Sequence, residues 1–292
     1  MMGGIGDFLI APFLEFVFMQ RALLGALMLS FSAAPVGVFL MLRRMSLTGD
    51  AMAHAILPGA AAGFLLFGLE LVPMTLGGLV AGVVVALGAG AVSRLTVQKE
   101  DASMAAFYLI SLAVGVVMVS MRGSSIDLMH VLFGTVLALN HDALTLIALV
   151  TGTTLITLAI FRRALIAECL DPLFLRSVSK LGSPVHFVFL GLVVINLVAG
   201  FQALGTLLSV GLMILPAAAA RFWTQRVETM CVLAIGFGVV SSVSGLLLSY
   251  HAALPSGPAI ILSAGLLYAV SVIAGTRGVL LTRLPRTSHR TA

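Results

Sequence analysis

Charge is scarce in this sequence. Asp, Glu, Lys and Arg make up 9% of 292 residues while 60% are hydrophobic, which excludes a soluble globule, whose composition draws on about 25% charged residues. A polytopic membrane protein, built as one domain over residues 1–292, is what remains. Aromatics are few at 7% and glycines many at 30, a balance suited to transmembrane helices whose small residues let backbones approach closely. The two cysteines, Cys169 and Cys231, lie far apart, so isolated structural thiols are expected in place of a disulfide or a CxxC metal site. A phosphate-binding loop of the form Gly-x-x-x-x-Gly-Lys-Ser/Thr is missing, since neither Lys99 nor Lys180 follows a glycine. Any ATP is therefore hydrolysed elsewhere. No HExxH occurs, and His130, His141, His186, His251 and His289 stand in separate loops or span ends, so catalysis within the chain is not expected.

What the chain does have is a succession of apolar stretches. Spans are expected at residues 22–42, 49–69, 74–91, 104–121, 143–161, 186–201, 204–220, 230–250 and 258–274, near the length of about 20 residues that a helix needs to cross a bilayer. Residues 131–139 are too few and read as a short or re-entrant helix. The fold expected is an all-α transmembrane bundle of about eight to nine membrane helices, with the short 204–220 stretch and its Pro216 deciding the count. Residues 1–20 carry Asp7, Pro12 and Glu15 without a basic leader, which fits an interfacial helix better than a cleavable signal. The longest polar interruption, 162–184, sets Glu168, Asp171, Arg176 and Lys180 among Leu170, Leu173, Phe174, Leu175 and Val178. Such an amphipathic segment lies on the membrane or docks a partner.

Basic residues follow the topology. With Arg43 and Arg44 cytoplasmic, nine crossings bring Arg94, Lys99, Arg162, Arg163, Arg176, Lys180, Arg221, Arg226 and the basic tail 276–292 to the same side, leaving Arg21 and Arg122 outside. That is the positive-inside pattern, with an external N-terminus and an internal C-terminus. Nucleic-acid binding is not needed to explain the basicity. Asp7, Glu15, Glu70, Asp127 and Asp142 gather on the outer side, where an acidic mouth raises the local concentration of cations.

One stretch, RRMSLTGDAMAHAILPG from Arg43 to Gly59, puts an ionisable pair inside an apolar segment. Asp50 and His54 are four residues apart, so a helix stacks them on one face. Each costs about 3 kcal/mol at a helix centre in a bilayer, which makes such a pair a functional candidate by default. A carboxylate oxygen with an imidazole nitrogen is a ligand set for zinc, manganese or iron. The alternatives are a neutral His54 hydrogen-bonded to a helix-capping Asp50 near the membrane edge, a proton relay in a secondary transporter, and a structural scaffold.

Five ordered blocks then carry a resemblance: LRRMSLTGDAMAHAILPG, IDLMHVLFGTVLAL, CLDPLFLRSV, LGTLLSVGLMILPAAAARFW and GLLLSYHAALPSGPAIIL. Together, over residues 18–272, they resemble the membrane permeases of bacterial ABC importers for zinc and manganese. The resemblance implies helices packed as in the vitamin B12 importer type, a second copy of the chain, two cytoplasmic ABC ATPase subunits and an extracytoplasmic solute-binding protein that delivers the ion. No permanently bound cofactor is implied: Zn2+ or Mn2+ is cargo, with zinc favoured by the imidazole, and ATP stays on the partner subunit. Asp50 and His54 match the family's second-helix pair, where the metal is bound in transit. Asp127 and His130 match a stretch that accepts the ion on the outer side. The block containing Asp171, Pro172, Phe174, Leu175, Arg176 and Val178 matches the ATPase-coupling region, where the family shows an Asp, then an Ala, then a Gly; here Leu175 and Ser179 take the small positions. Pro58 and Gly59 close the second-helix motif, Pro216 with the alanines after it implies a kink and close packing, and Ser256 and Gly257 imply a turn.

Overall fold

Hydrocarbon offers the backbone no hydrogen-bond partner, so a chain this apolar crosses it as helices that close their own bonds. The structure, a computed structural model, describes residues 6–68, 70–121, 139–170 and 182–280, and every regular element among them is helical. In chain order these are α1 Gly6–Glu15, α2 Val17–Leu42, α3 Ser46–Phe67, α4 Leu71–Leu95, α5 Glu100–Met121, α6 His141–Leu170, α7 Gly182–Leu204, α8 Thr206–Arg221, α9 Val227–Ala252 and α10 Ser256–Ala274. Eight are long and apolar enough to cross a membrane; α8, with 16 residues, is shorter, and α1 shorter still. Counting α8 as a crossing returns Arg221 and Arg226 to the side of Arg43.

Helices α2 and α7 form the centre and bury most of their length. Small residues make that possible. On α2 the face of Ala26, Ser30, Ala33 and Gly37 is buried, and a methyl group added at Gly37 would land on the main-chain carbonyl of Met213 in α8. Around this pair, α4, α5, α6 and α10 turn Val80, Val84, Val117, Ile156, Ile160, Leu262 and Leu266 outwards, the apolar surface that lipid requires. Two polar contacts inside cross between helices: Asn196 Nδ2 on α7 donates to Thr154 Oγ1 on α6 at 2.8 Å, and Ser30 and Ser242 bring their hydroxyls within 3.3 Å.

Connections are tight. Arg43 caps α2, and Arg44 takes a left-handed conformation at φ 59° while Met45 N donates to the Leu40 carbonyl. This is a Schellman turn with arginine where glycine is usual. Between α7 and α8 a single residue, Gly205, turns the chain at φ 90° and ψ 161°, a conformation that is almost reserved for glycine.

The fifth span does not stop at Phe161. Helix α6 runs on to Leu170, because Ala164, Leu165 and Ala167 are good helix formers and no proline intervenes before Pro172. The expected polar segment 162–184 is accordingly helical at both ends, while residues 171–181 lie outside the described residues, as do 131–138 of the expected re-entrant stretch and 281–292 of the tail. At the start of α6, Asn140 Oδ1 accepts from Ala143 N at 2.8 Å, an N-cap that places the helix start at His141.

Candidate functional site

Helix α3 opens at Ser46 behind an uncapped Met45, so Asp50 sits more than a turn inside the helix and caps nothing. Its inner face carries Met52, Ala55, Ile56, Gly59 and Ala60, all of which are buried except the partly buried Gly59. Those small side chains let α4 and α5 come close: a methyl at Gly59 would overlap the Gly77 carbonyl of α4, Pro58 lies against Gly115 of α5, and Ser111 Oγ on α5 donates to the Ala55 carbonyl at 3.0 Å. The opposite face, Leu47, Asp50, His54, Leu57 and Ala61, is open or only partly covered. One face of α3 is thus built to pack and the other carries the candidate pair, Asp50 and His54.

Asp50 Oδ1 and His54 Nε2 are 3.9 Å apart, with the side chains 64% and 36% exposed respectively. That distance is too long for a hydrogen bond. It is short enough for one ion to bridge with bonds of about 2.0–2.2 Å to each atom. The capping alternative therefore has no support in the geometry: Asp50 is not at the helix end, and it makes no hydrogen bond to His54. The imidazole is held from behind by Tyr108 of α5, ring centroids 6.4 Å apart, and its Nδ1 is buried without a hydrogen-bond partner. The ring is thus positioned by packing, with Nε2 turned to the open face. Among the described residues no group of three or more His, Cys, Asp or Glu could hold a metal, and Asp50 with His54 stands as a candidate pair.

Of the other residues singled out from the sequence, Asp127 and His130 lie outside the described residues, as do Asp171, Pro172, Phe174, Leu175, Arg176 and Val178. Pro216 is buried within α8, next to the Met213 turn that meets Gly37. Ser256 and Gly257 are buried in the first turn of α10, and the reversal itself falls at Ala253, left-handed at φ 52°. The outer-end pair Arg21 and His141 meet at 3.0 Å.

One charged group escaped the sequence reading. Glu168, assigned to the polar interruption, is 1% exposed, and its Oε1 lies 3.5 Å from Arg43 Nη2 and 3.8 Å from His186 Nδ1. The only available hint was an acid set between Ala167 and Cys169, away from Arg162 and Arg163. Its partners stand far away in sequence, where no local pattern reaches.

Residues 15–275 match the model of a family described as the ABC 3 transport family. The chain is 31% identical over 271 residues to the manganese transport system membrane protein MntC of Halalkalibacterium halodurans, covering 92% of this chain and 91% of that one. It is 32% identical over 256 residues to a protein of Haemophilus influenzae described as an iron transport system membrane protein, covering 88% and 93%. Among solved structures it is similar to PsaBC from Streptococcus pneumoniae in complex with Fab, at a TM-score of 0.83 and 30% identity over 96% of this chain and 99% of that one.

Proposed function

This chain belongs to the ABC 3 transport family, and from that premise we propose that it is the membrane permease of an ATP-driven importer for divalent transition metal ions, with manganese the first cargo to test. It is a multi-pass protein of the bacterial inner membrane and is not itself an enzyme; ATP hydrolysis belongs to a separate ATPase subunit. The sequence leans towards zinc because imidazole ranks it above manganese in the usual affinity order. The relatives carry manganese and iron in their names, which moves manganese ahead of zinc. Selectivity then rests on geometry and delivery, not on raw affinity.

The observation that carries this function is the Asp50 and His54 pair, 3.9 Å apart on the open face of α3. Such a face cannot meet lipid without a cost of about 3 kcal/mol per ionised group. A second copy of the chain, facing the first across α3, would cover both side chains and supply two further ligands, giving four in all. An extracytoplasmic binding protein delivers the ion to Asp127 and His130 on the outer side, and two ATPase subunits engage residues 171–178 on the inner side. Two ligands per protomer suit transit: the ion must bind well enough to enter and weakly enough to leave.

The test is uptake into proteoliposomes that hold the permease with its ATPase, offering manganese and zinc separately. ATP-dependent manganese uptake that collapses in His54→Ala is the expected result. Uptake that ignores ATP and stops when the proton gradient is dissipated would overturn the importer and make Asp50 and His54 a proton relay.

A further inference from the structure

The buried cluster at the inner end of the protomer joins three elements. Arg43 belongs to the turn between α2 and α3, Glu168 to the last turn of α6, and His186 to the second turn of α7. Their side chains are 9%, 1% and 3% exposed. Arginine has only donors, and Arg43 Nη2 meets His186 Nδ1 at hydrogen-bond distance. The guanidinium also lies over the Phe189 ring, 5.0 Å from its centre.

The cluster's hydrogen bonding is incomplete on both sides. Arg43 Nη1 and both Glu168 carboxylate oxygens are buried without a hydrogen-bond partner. A buried carboxylate and a buried guanidinium that each keep unused capacity, one 3.5 Å from the other, are complementary: a bidentate arginine–carboxylate pair would satisfy all three atoms. In this structure the arginine is thus hydrogen-bonded to α7 through His186 and only ion-paired to α6 through Glu168, with a second arrangement, closed onto Glu168, within reach.

We propose that Arg43 exchanges partners between His186 and Glu168 during transport, and that Glu168 is a positioning residue which carries movement of the α6 and α7 ends to the turn leading into α3. The inference rests on the reading that the ATPase engages the chain between those two helices. Asp50 lies seven residues after Arg43 on the helix that the turn starts, so a shift of Arg43 is a shift at the foot of the metal-bearing helix. Left-handed Arg44, next in the chain, keeps that turn short and stiff.

The experiment compares metal transported per ATP hydrolysed in proteoliposomes holding the permease, its ATPase and its binding protein. Glu168→Gln removes the charge that would draw Arg43 to α6, and Arg43→Lys keeps the charge but cannot form the bidentate pair. The expected result for both is ATP hydrolysis within about twofold of wild type with the transport-to-hydrolysis ratio down about tenfold, the factor carried by one charge-assisted hydrogen bond gained in only one of two states. The double variant should be no worse than Glu168→Gln alone. A wild-type ratio in the variants, whether or not both rates fall together, overturns the exchange. Should Glu168→Gln fail to assemble, Arg43→Lys alone decides by the same ratio. Wild type that shows no ATP-coupled uptake at all overturns the importer, and with it the exchange.

Discussion

Two residues on neighbouring turns of helix, Asp50 and His54, are the proposed metal ligands, and their settings differ. Asp50 stands clear of its own chain, whereas His54 is fixed from behind by Tyr108 and leaves Nδ1 unbonded. Metal-binding histidines usually gain basicity from a hydrogen bond at the other nitrogen. Here that bond is absent, which suits the proposed role of a ligand that must release its ion. A few residues upstream, Arg44 holds a left-handed backbone at φ 59°, at a cost of about 1–2 kcal/mol relative to glycine in the same place. Glycine also loses more freedom on folding, by about 0.5–1 kcal/mol, so Arg44→Gly should leave stability unchanged or raise it by up to about 1.5 kcal/mol. Arg44→Val, β-branched in a region that such residues avoid, should lower it. Apparent melting temperatures of the two variants in detergent, ordered Gly above Val, check the turn.

Helices α3 and α4 approach through glycine, with Gly59 and Gly77 each against the other's carbonyl. A branched side chain there must push the helices apart. Gly59→Val should destabilise by about 1–3 kcal/mol, the range for overpacking a filled core, and should weaken metal binding as well because His54 rides on the same helix; Gly265→Val, where a side chain meets open space, is the control. Thermal unfolding and metal affinity measured together separate the two effects. At this scale the reach of sequence becomes visible. Asp50 and His54 were legible because an i,i+4 spacing is local and helical geometry alone aligns it. Glu168 was not, because its burial is decided by Arg43 and His186, which the fold brings in from 125 and 18 residues away. The extension of α6 to Leu170 was missed for a related reason: Arg162 and Arg163 looked like a span end, yet Arg162 stays helical and pairs with Glu228 of α9 at 2.8 Å. The caps were partly readable, since Asn140 is a typical N-cap, while Ser256 and Gly257 start a helix where a turn was expected.

For the whole molecule, apolar composition and the positions of arginine were enough to give an all-helical bundle of about eight to nine membrane helices, and the described residues hold eight long apolar helices plus the short α8. What composition could not give is which surface faces a partner. Lipid accepts the valines and leucines of α4, α5 and α10, but it does not accept Asp50. We therefore propose that the open face of α3 meets its counterpart on a second copy, with the ion shared between them. The most direct measurement is manganese bound per chain in the solubilised protein, by equilibrium dialysis and metal analysis, in wild type and His54→Ala. One ion for every two chains, lost in His54→Ala, is the predicted result. One ion per chain, or binding that survives His54→Ala, would contradict it.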